Sequence, residues 1–125
     1  MSFSTINNLM PGRETKAKVI IHTAAAAAFA MGLSFSYVPG YRFVMEEFQL
    51  TMMIQIAALF GVNLSRADAR SFYESTIQVR VDPIIDGFVI RCIAGPGHTS
   101  NATIAVQVTE TIGWATYNYY LEKYG

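Results

Sequence analysis

Three residues in the second half of this 125-residue sequence have side chains that could take part in nucleophilic catalysis: Cys92, His98 and Ser100. A thiol or hydroxyl becomes a nucleophile when an imidazole lies within hydrogen-bond distance and an acid orients that imidazole. The spacing of the sequence assigns neither the orienting acid nor donors for an oxyanion. We therefore predict that the chain is not an enzyme, and a small hydrolase that uses these three residues remains a minor alternative.

Two further patterns could carry chemistry, but each has a simpler structural explanation. Asp82 and Asp86 lie four residues apart, which would place both carboxylates on one face of a helix, yet Asp82 precedes Pro83 and fits a helix N-cap. Residues 95–101 combine Gly, Pro and polar side chains, and backbone donors there could hold an anion at the start of a helix. A connection between two helices is the more common use of such a segment. We therefore assign no catalytic or cofactor-binding residue.

Few residues in this sequence could bind a metal ion or form a disulfide. The sequence has one cysteine and two histidines, His22 and His98, which lie far apart. Structural zinc sites and disulfide frameworks need several thiols or a Cys/His cluster. We predict no metal ion and no cofactor. His22 lies in an apolar segment, and we expect it to be a core or interface histidine.

The composition is that of a folded, weakly charged protein. Apolar residues make up 52% of the chain, charged residues 14%, and the mean hydropathy is +0.29, so intrinsic disorder is excluded. Nine basic and nine acidic residues give a formal net charge of zero, so we predict no nucleic-acid partner. The first ten residues are too polar for a secretory signal, and we expect a cytoplasmic location. The length fits a flexible N-terminal arm over residues 1–12 and a single helical domain over residues 13–125.

The periodicity of apolar residues predicts an all-α fold, a compact bundle of about five helices with an Ala-rich central helix. Alanines 24–28 put small side chains on every face of the first helix, which suits a helix surrounded by others. Glu46 and Glu47 fit the first turn of the second helix, where negative charge complements the helix dipole. The predicted helices are residues 13–34, 43–60 and 66–78, a fourth that begins at Asp82 and ends before residues 95–97, and residues 102–123.

Methionine and aromatic residues are the best candidates for a contact surface. Methionine adapts its shape to a partner, and Tyr and Trp are common at protein contacts and at membrane interfaces. In the second helix, one apolar stripe consists of Met45, Phe48, Met52, Ile56 and Leu59. The candidate interaction residues are Met45, Met52, Met53, Trp114, Tyr117, Tyr120 and Tyr124.

Two stretches of the sequence resemble a known family. Residues 49–62, QLTMMIQIAALFGV, resemble the Gln-x-x-Met-Ile-x-x-Ile-Ala-x-x-Tyr-Gly segment of a bacterial helical domain of unknown function that is fused to, or encoded beside, small GTP-binding domains. Residues 105–115, AVQVTETIGWA, resemble the family's alanine-rich run that ends in Thr-x-x-Ile-Gly-x-Ala. The alanines of the first helix and residues 38–40, Val-Pro-Gly, match its opening helix and proline turn. The resemblance covers residues 16–120 and extends, more distantly, to the helical domain of immunity-related GTPases.

The resemblance implies an all-helical regulatory or anchoring module of GTPase systems, often associated with membranes. The family usually has an Asp just after its proline turn, whereas here no acidic residue precedes Glu46, so a role tied to that carboxylate is not carried over. The sequence also has no Gly-x-x-x-x-Gly-Lys-Ser/Thr motif, the cradle that holds nucleotide phosphates. The chain therefore does not resemble the GTPase itself.

A possible membrane segment lies near the N-terminus, where residues 19–41 carry no formal charge. A spanning helix needs about 20 mostly apolar residues. The apolar part, residues 19–33, is shorter, is rich in alanine and is interrupted by His22 and Thr23. We therefore favour helices of a compact bundle, with direct insertion into a bilayer as the alternative.

These patterns together predict a non-enzymatic helical interaction module, a membrane-associated or self-associating regulatory or anchoring domain of a GTPase system. The expected partners are a GTPase domain or protein, a membrane surface and further copies of the same chain. A peripheral or partly embedded position at a membrane is compatible with the cytoplasmic location. A small-molecule or lipid carrier with an apolar cavity is the main alternative.

Overall fold

The computed structural model describes residues 12–35, 39–81 and 98–125. Within these residues 89% are helical and none forms a β-strand, which confirms the all-α class. The elements are α1 (Arg13–Phe35), α2 (Tyr41–Leu59), α3 (Arg66–Phe72), the π-helical segment (Tyr73–Ile77) and α4 (His98–Tyr124). Helix α3 continues directly into the π-helical segment, and helical structure then extends to residue 81.

Most predicted helices have a counterpart, with shifted ends. Helix α2 begins at Tyr41, so Glu46 and Glu47 lie beyond its first turn, and their predicted role at the helix dipole is wrong. Helix α4 begins at His98 rather than at residue 102, so helix already includes the predicted connection at residues 98–101. The predicted fourth helix, with Asp82, Asp86 and Cys92, lies outside the described residues, as do residues 1–11. The count of five helices therefore stays a prediction.

The tightest packing in the bundle is between α1 and α4, which run antiparallel. A Cβ atom placed on Gly32 would lie 2.6 Å from the Cα atom of Ala102. Near the other end of the pair, a Cβ atom on Gly113 would lie 2.7 Å from Cγ1 of Ile21 and 3.0 Å from Sδ of Met52. Small residues let two helix backbones approach closely and gain dispersion contacts along their length. The alanine-rich composition of α1 is therefore used directly in the α1–α4 contact.

The core lies where α1, α2 and α4 meet, and α3 with the π-helical segment closes one side. Ile21, Met53, Ile56 and Ile112 are almost fully buried there. Ile77, in the π-helical segment, joins the same cluster. The other side of α1 is not covered in the described structure, so the central position predicted for this helix also stays a prediction.

The connection from α2 to α3 uses local signals that the sequence carries. Gly61 has φ of 76°, a backbone conformation that favours glycine, and its N–H donates to Ala58 O at 3.1 Å. The N–H of Val62 donates to Ala57 O, which completes a Schellman ending of α2. Ser65 then caps α3, since its Oγ accepts from the N–H of Asp68 at 3.0 Å. The predicted end of the second helix at Gly61 and the predicted cap at Ser65 are confirmed.

Replacing Gly32 with Ala should destabilise the protein even though alanine is the better helix former. The added methyl group meets the Ala102 backbone, which cannot move aside as a side chain can. Overpacking costs roughly 1–3 kcal/mol, against a gain in helix propensity of about 1 kcal/mol. We expect a lower urea midpoint in unfolding followed by circular dichroism. Ser34→Ala, at an exposed position of the same helix, is the control and should leave the midpoint nearly unchanged; a Gly32→Ala protein as stable as the wild type would contradict the packing argument.

Thr109→Val should stabilise the protein. Thr109 is 1% exposed and its Oγ1 atom has no hydrogen-bond partner among the described residues, whereas the equally buried Thr116 donates to Ile112 O at 2.8 Å. An unpaired buried hydroxyl costs about 1–3 kcal/mol, and valine has nearly the same shape. We expect the free energy of unfolding to rise by about 1 kcal/mol for Thr109→Val. The matched change Thr116→Val should give no such gain, and equal effects of the two substitutions would show that the hydroxyl of Thr109 is not unpaired.

Candidate interaction surface

The ionised side chains between α2 and α3 form a network that pairs both helices. Arg66 lies 2.9 Å from Glu47 through Nη1 and Oε2, and its Nη2 donates to Oγ1 of Thr51 at 2.7 Å. Arg70 bridges two carboxylates, with Nη1 on Glu46 at 2.5 Å and Nη2 on Glu47 at 3.0 Å. These groups are partly exposed, so each pair contributes modest stability and mainly fixes where α3 packs. The α3 side of the bundle is consequently its charged side.

The end of the bundle where α4 finishes is aromatic. Phe60 of α2 lies 5.6 Å from Tyr117 and 5.7 Å from Tyr120, measured between ring centroids. Phe72 of α3 meets the same region of α4, 4.8 Å from Tyr119 and 5.4 Å from Tyr120. Offset and edge-to-face ring pairs contribute beyond the area they bury. The aromatic tail of α4 is thus a packing device that joins α2, α3 and α4.

Cations lie over the outer rings of this aromatic end. The guanidinium carbon of Arg13 lies 4.4 Å from the Phe60 ring centre, and that of Arg80 lies 5.3 Å from the Tyr119 ring centre. Nζ of Lys123 lies 5.7 Å from the same Tyr119 ring. A cation over an aromatic face is attracted by the ring quadrupole. The rings that face water are therefore already partnered within the chain.

The predicted interaction residues divide between core and surface. Met45, Met52, Met53, Tyr117 and Tyr120 are all buried, which is the more common use of methionine and leaves them no free surface in this bundle. Trp114 is partly buried, and Tyr124 is 53% exposed. The structure brings Trp114, Tyr117, Tyr120 and Tyr124 to one end of α4, where Trp114 packs edge-on to Tyr117 at 5.6 Å. Their role in binding stays a prediction.

Tyr120 has the clearest electrostatic signature at this aromatic end. Burial, followed by the charges that Tyr119 and Tyr124 acquire on ionisation, raises the pKa of Tyr120 to about 12 from 10.0. The same charges of Tyr119 and Tyr124 raise the pKa of Lys123, which is fully exposed. Both pKa values lie far above neutral pH, so Tyr120 stays protonated and Lys123 stays charged under physiological conditions.

Beyond its first turns, the exposed side of α1 is uncharged and mostly apolar. The exposed residues of α1 between Val19 and Ser34 form what we call the outer face, and none of them carries a formal charge. Large apolar side chains are open to water on this face and on the first turns of α2; Phe43 is 74% exposed. The outer face consists of Val19, His22, Thr23, Ala26, Phe29, Ala30, Leu33 and Ser34, and the exposed apolar residues of α2 are Phe43, Val44 and Phe48.

Helix α1 is, within the described residues, the one helix long and apolar enough to cross a membrane by length and composition. Only 28% of its most apolar window is buried inside the bundle. The core helix of a soluble protein, which is mostly buried, and a signal sequence near the N-terminus pass the same test. The low burial of α1 separates it from the first of these two cases.

His22 marks the edge of the outer face next to α4. It is not in the core, because its side chain is 64% exposed, and its Nδ1 lies 3.6 Å from Oε1 of Glu110. In the part of the chain that the structure describes, no group of three His, Cys, Asp or Glu side chains could hold a metal ion. Cys92 and the side chains of His98 and Ser100, the three residues of the alternative hydrolase, lie outside what the structure describes.

Comparison with known proteins gives no further assignment: no family model, no curated protein and no solved structure matches this chain. The resemblance to the GTPase-associated helical domain stays a prediction.

The apolar stripe predicted for α2 is not covered along its whole length. Phe48 on this stripe is 40% exposed, whereas Met52 and Ile56 are buried, because α3 and α4 cover only a neighbouring sector of the helix. Helix α2 has more apolar residues than one buried stripe can hold. This excess is the sequence signal that indicates an exposed apolar surface.

Raising the pH above 10 should destabilise the bundle through Tyr120. Because its pKa is higher in the folded chain than its usual value of 10.0, the unfolded chain loses this proton first, and unfolding becomes more favourable as the pH rises to about 12. The stabilisation is complete below pH 10 and lost above about 12, and it amounts to at most about 2–3 kcal/mol. Tyr120→Phe should reduce the loss measured by urea unfolding across this pH range. Tyr117→Phe, which removes a hydroxyl from the same aromatic end but is not a cause of the shift, is the control, and an identical pH dependence for wild type and Tyr120→Phe would contradict the assignment.

Proposed function

We propose that this chain is a non-enzymatic helical interaction module that docks the outer face of α1 onto another surface, and that it anchors or regulates a GTPase system. The observation that carries the proposal is that α1 has no charged residue on any side from Val19 to Phe35, while the described bundle buries only 28% of its most apolar window. A helix that is apolar all round is normally buried, either in a protein or in a membrane. The outer face therefore favours a covering surface.

The distribution of charge supports a single docking side. Arg66, Arg70 and their carboxylate partners keep the α3 side polar and hydrated. The outer face of α1 has no such groups, and Phe29 and Leu33 remain open to water there. Contiguous exposed apolar surface is a common mark of an interaction site. Docking on the outer face would leave the charged side in solvent.

The link to GTPases rests on the resemblance of residues 49–62 and 105–115. These stretches lie in α2 and α4, and they meet in the core, where Met52 borders Gly113. Their motif residues thus have a structural reason to be what they are, since they pack the bundle. A shared helical fold would explain the resemblance. We propose that a protein with this fold acts together with a GTPase partner.

Light scattering coupled to size-exclusion chromatography, with and without a mild detergent, tests the docking face. We expect the purified full chain to form oligomers without detergent or to carry bound detergent when it is present, because the outer face is apolar. Ala26→Glu places a charge at the centre of this face without loss of helix propensity, and it should give a monomer that binds no detergent.

The matched control is Ala67→Glu, which adds the same charge at an exposed position on the α3 side and should behave as the wild type. Circular dichroism shows whether both variants are folded. A wild-type protein that is a monodisperse monomer and takes up no detergent would overturn the proposed function.

A further inference from the structure

We infer that the surface docked by the outer face is an anionic lipid bilayer, and that α1 lies in the plane of the interface instead of spanning it. This inference rests on the proposed function, because it names the partner of the same face. It is carried by the position of charges relative to α1 in the folded bundle.

The residues that pack against α1 make a membrane-spanning position costly. Gly32 and Ala102 lock α1 to α4, so α1 cannot enter the hydrocarbon without its partners or without losing this contact. Met45 of α2 packs at Ala28, in the middle of the apolar part of α1. The next two residues of α2 are Glu46 and Glu47, which would therefore reach bilayer depth together with their arginines. Ionised groups at that depth are costly.

A position in the plane of the interface keeps Glu46, Glu47 and their arginines out of the hydrocarbon. The 23 residues of α1 make a helix about 34 Å long, with its uncharged outer face on one side and the polar groups of α2 and α3 on the other. An interfacial helix buries such a face to a depth of about 5–10 Å at the boundary between headgroups and acyl chains. Phe29 and Leu33 are the large side chains of this face that would enter the acyl region.

The charge at one end of the face selects an anionic surface. Lys16 and Lys18 are exposed in the first turns of α1, and Lys18 lies 3.9 Å from Glu14. Lysine side chains beside an apolar face can extend their ammonium groups to lipid phosphates or carboxylates. The first two turns of α1 carry three basic side chains, Arg13, Lys16 and Lys18, against one carboxylate, Glu14. A second copy docked through this end would bring the same net positive charge, whereas an anionic surface would neutralise it. Charge complementarity therefore favours anionic lipid over a second copy.

Vesicle flotation tests this proposal with the purified full chain. Vesicles of phosphatidylcholine alone are compared with vesicles that also contain phosphatidylserine, at low and at high salt. We expect binding to the anionic vesicles that weakens severalfold without phosphatidylserine or at high salt, because screening removes the lysine contribution. Ala26→Glu should abolish the binding, Lys16→Gln with Lys18→Gln should make it independent of phosphatidylserine, and Ala67→Glu should leave it unchanged.

Accessibility labelling separates an in-plane helix from a spanning one. In a Cys92→Ser background, Gly12→Cys and Pro39→Cys place single exposed thiols just beyond the two ends of α1. Both should react with a membrane-impermeant maleimide added outside sealed vesicles. A thiol that reacts only after the vesicles are opened with detergent would overturn the in-plane position.

The outcomes distinguish this inference from the proposed function. If the chain self-associates or takes up detergent through the Ala26 face but floats with neither type of vesicle, the bilayer is the wrong partner and the docking face stands. If the chain is a monomer that binds neither detergent nor vesicles, both proposals are overturned.

Discussion

The close approach of α1 and α4 is the constraint on which the rest of the bundle depends. Gly32 against Ala102, and Gly113 against Ile21, leave no room for a single added carbon at either place. This contact sets the antiparallel register of the two long helices. The register in turn brings the aromatic end of α4 to Phe60 and places Gly113 over Met52, so that the third long helix, α2, has one place to pack.

The same small residues that make this contact also explain the uncovered face. A stripe of alanine and glycine toward α4 is enough to pack the inner side of α1, but α1 has small or apolar residues on its outer side as well. Nothing in the α1–α4 contact requires them. Their presence is explained if a second apolar environment meets the outer face, as the proposed function requires.

The charged network of α3 gives the molecule its two sides. Arg70 lies 24 residues from Glu46 in the chain and joins α3 to α2 on the side away from the outer face. Ion pairs join α2 to α3, whereas the outer face of α1 carries no formal charge and the charged residues of α1 lie only in its first turns. The polarity of the particle follows from where these few ion pairs form.

The helical class and the local ends of helices follow from the amino-acid sequence, because these depend on neighbouring residues: Gly61 ends α2, and Ser65 caps α3. Periodicity placed Phe48 on the same stripe as the buried Met52 and gave no sign of the π-helical segment, since the exposure of Phe48 and the local helix geometry depend on which helix covers which sector. It also could not choose a buried face for α1, because alanines look alike on all sides of a helix. Only the tertiary structure decided that choice, through the backbone contact of Gly32 with Ala102, and with it the face that remains open.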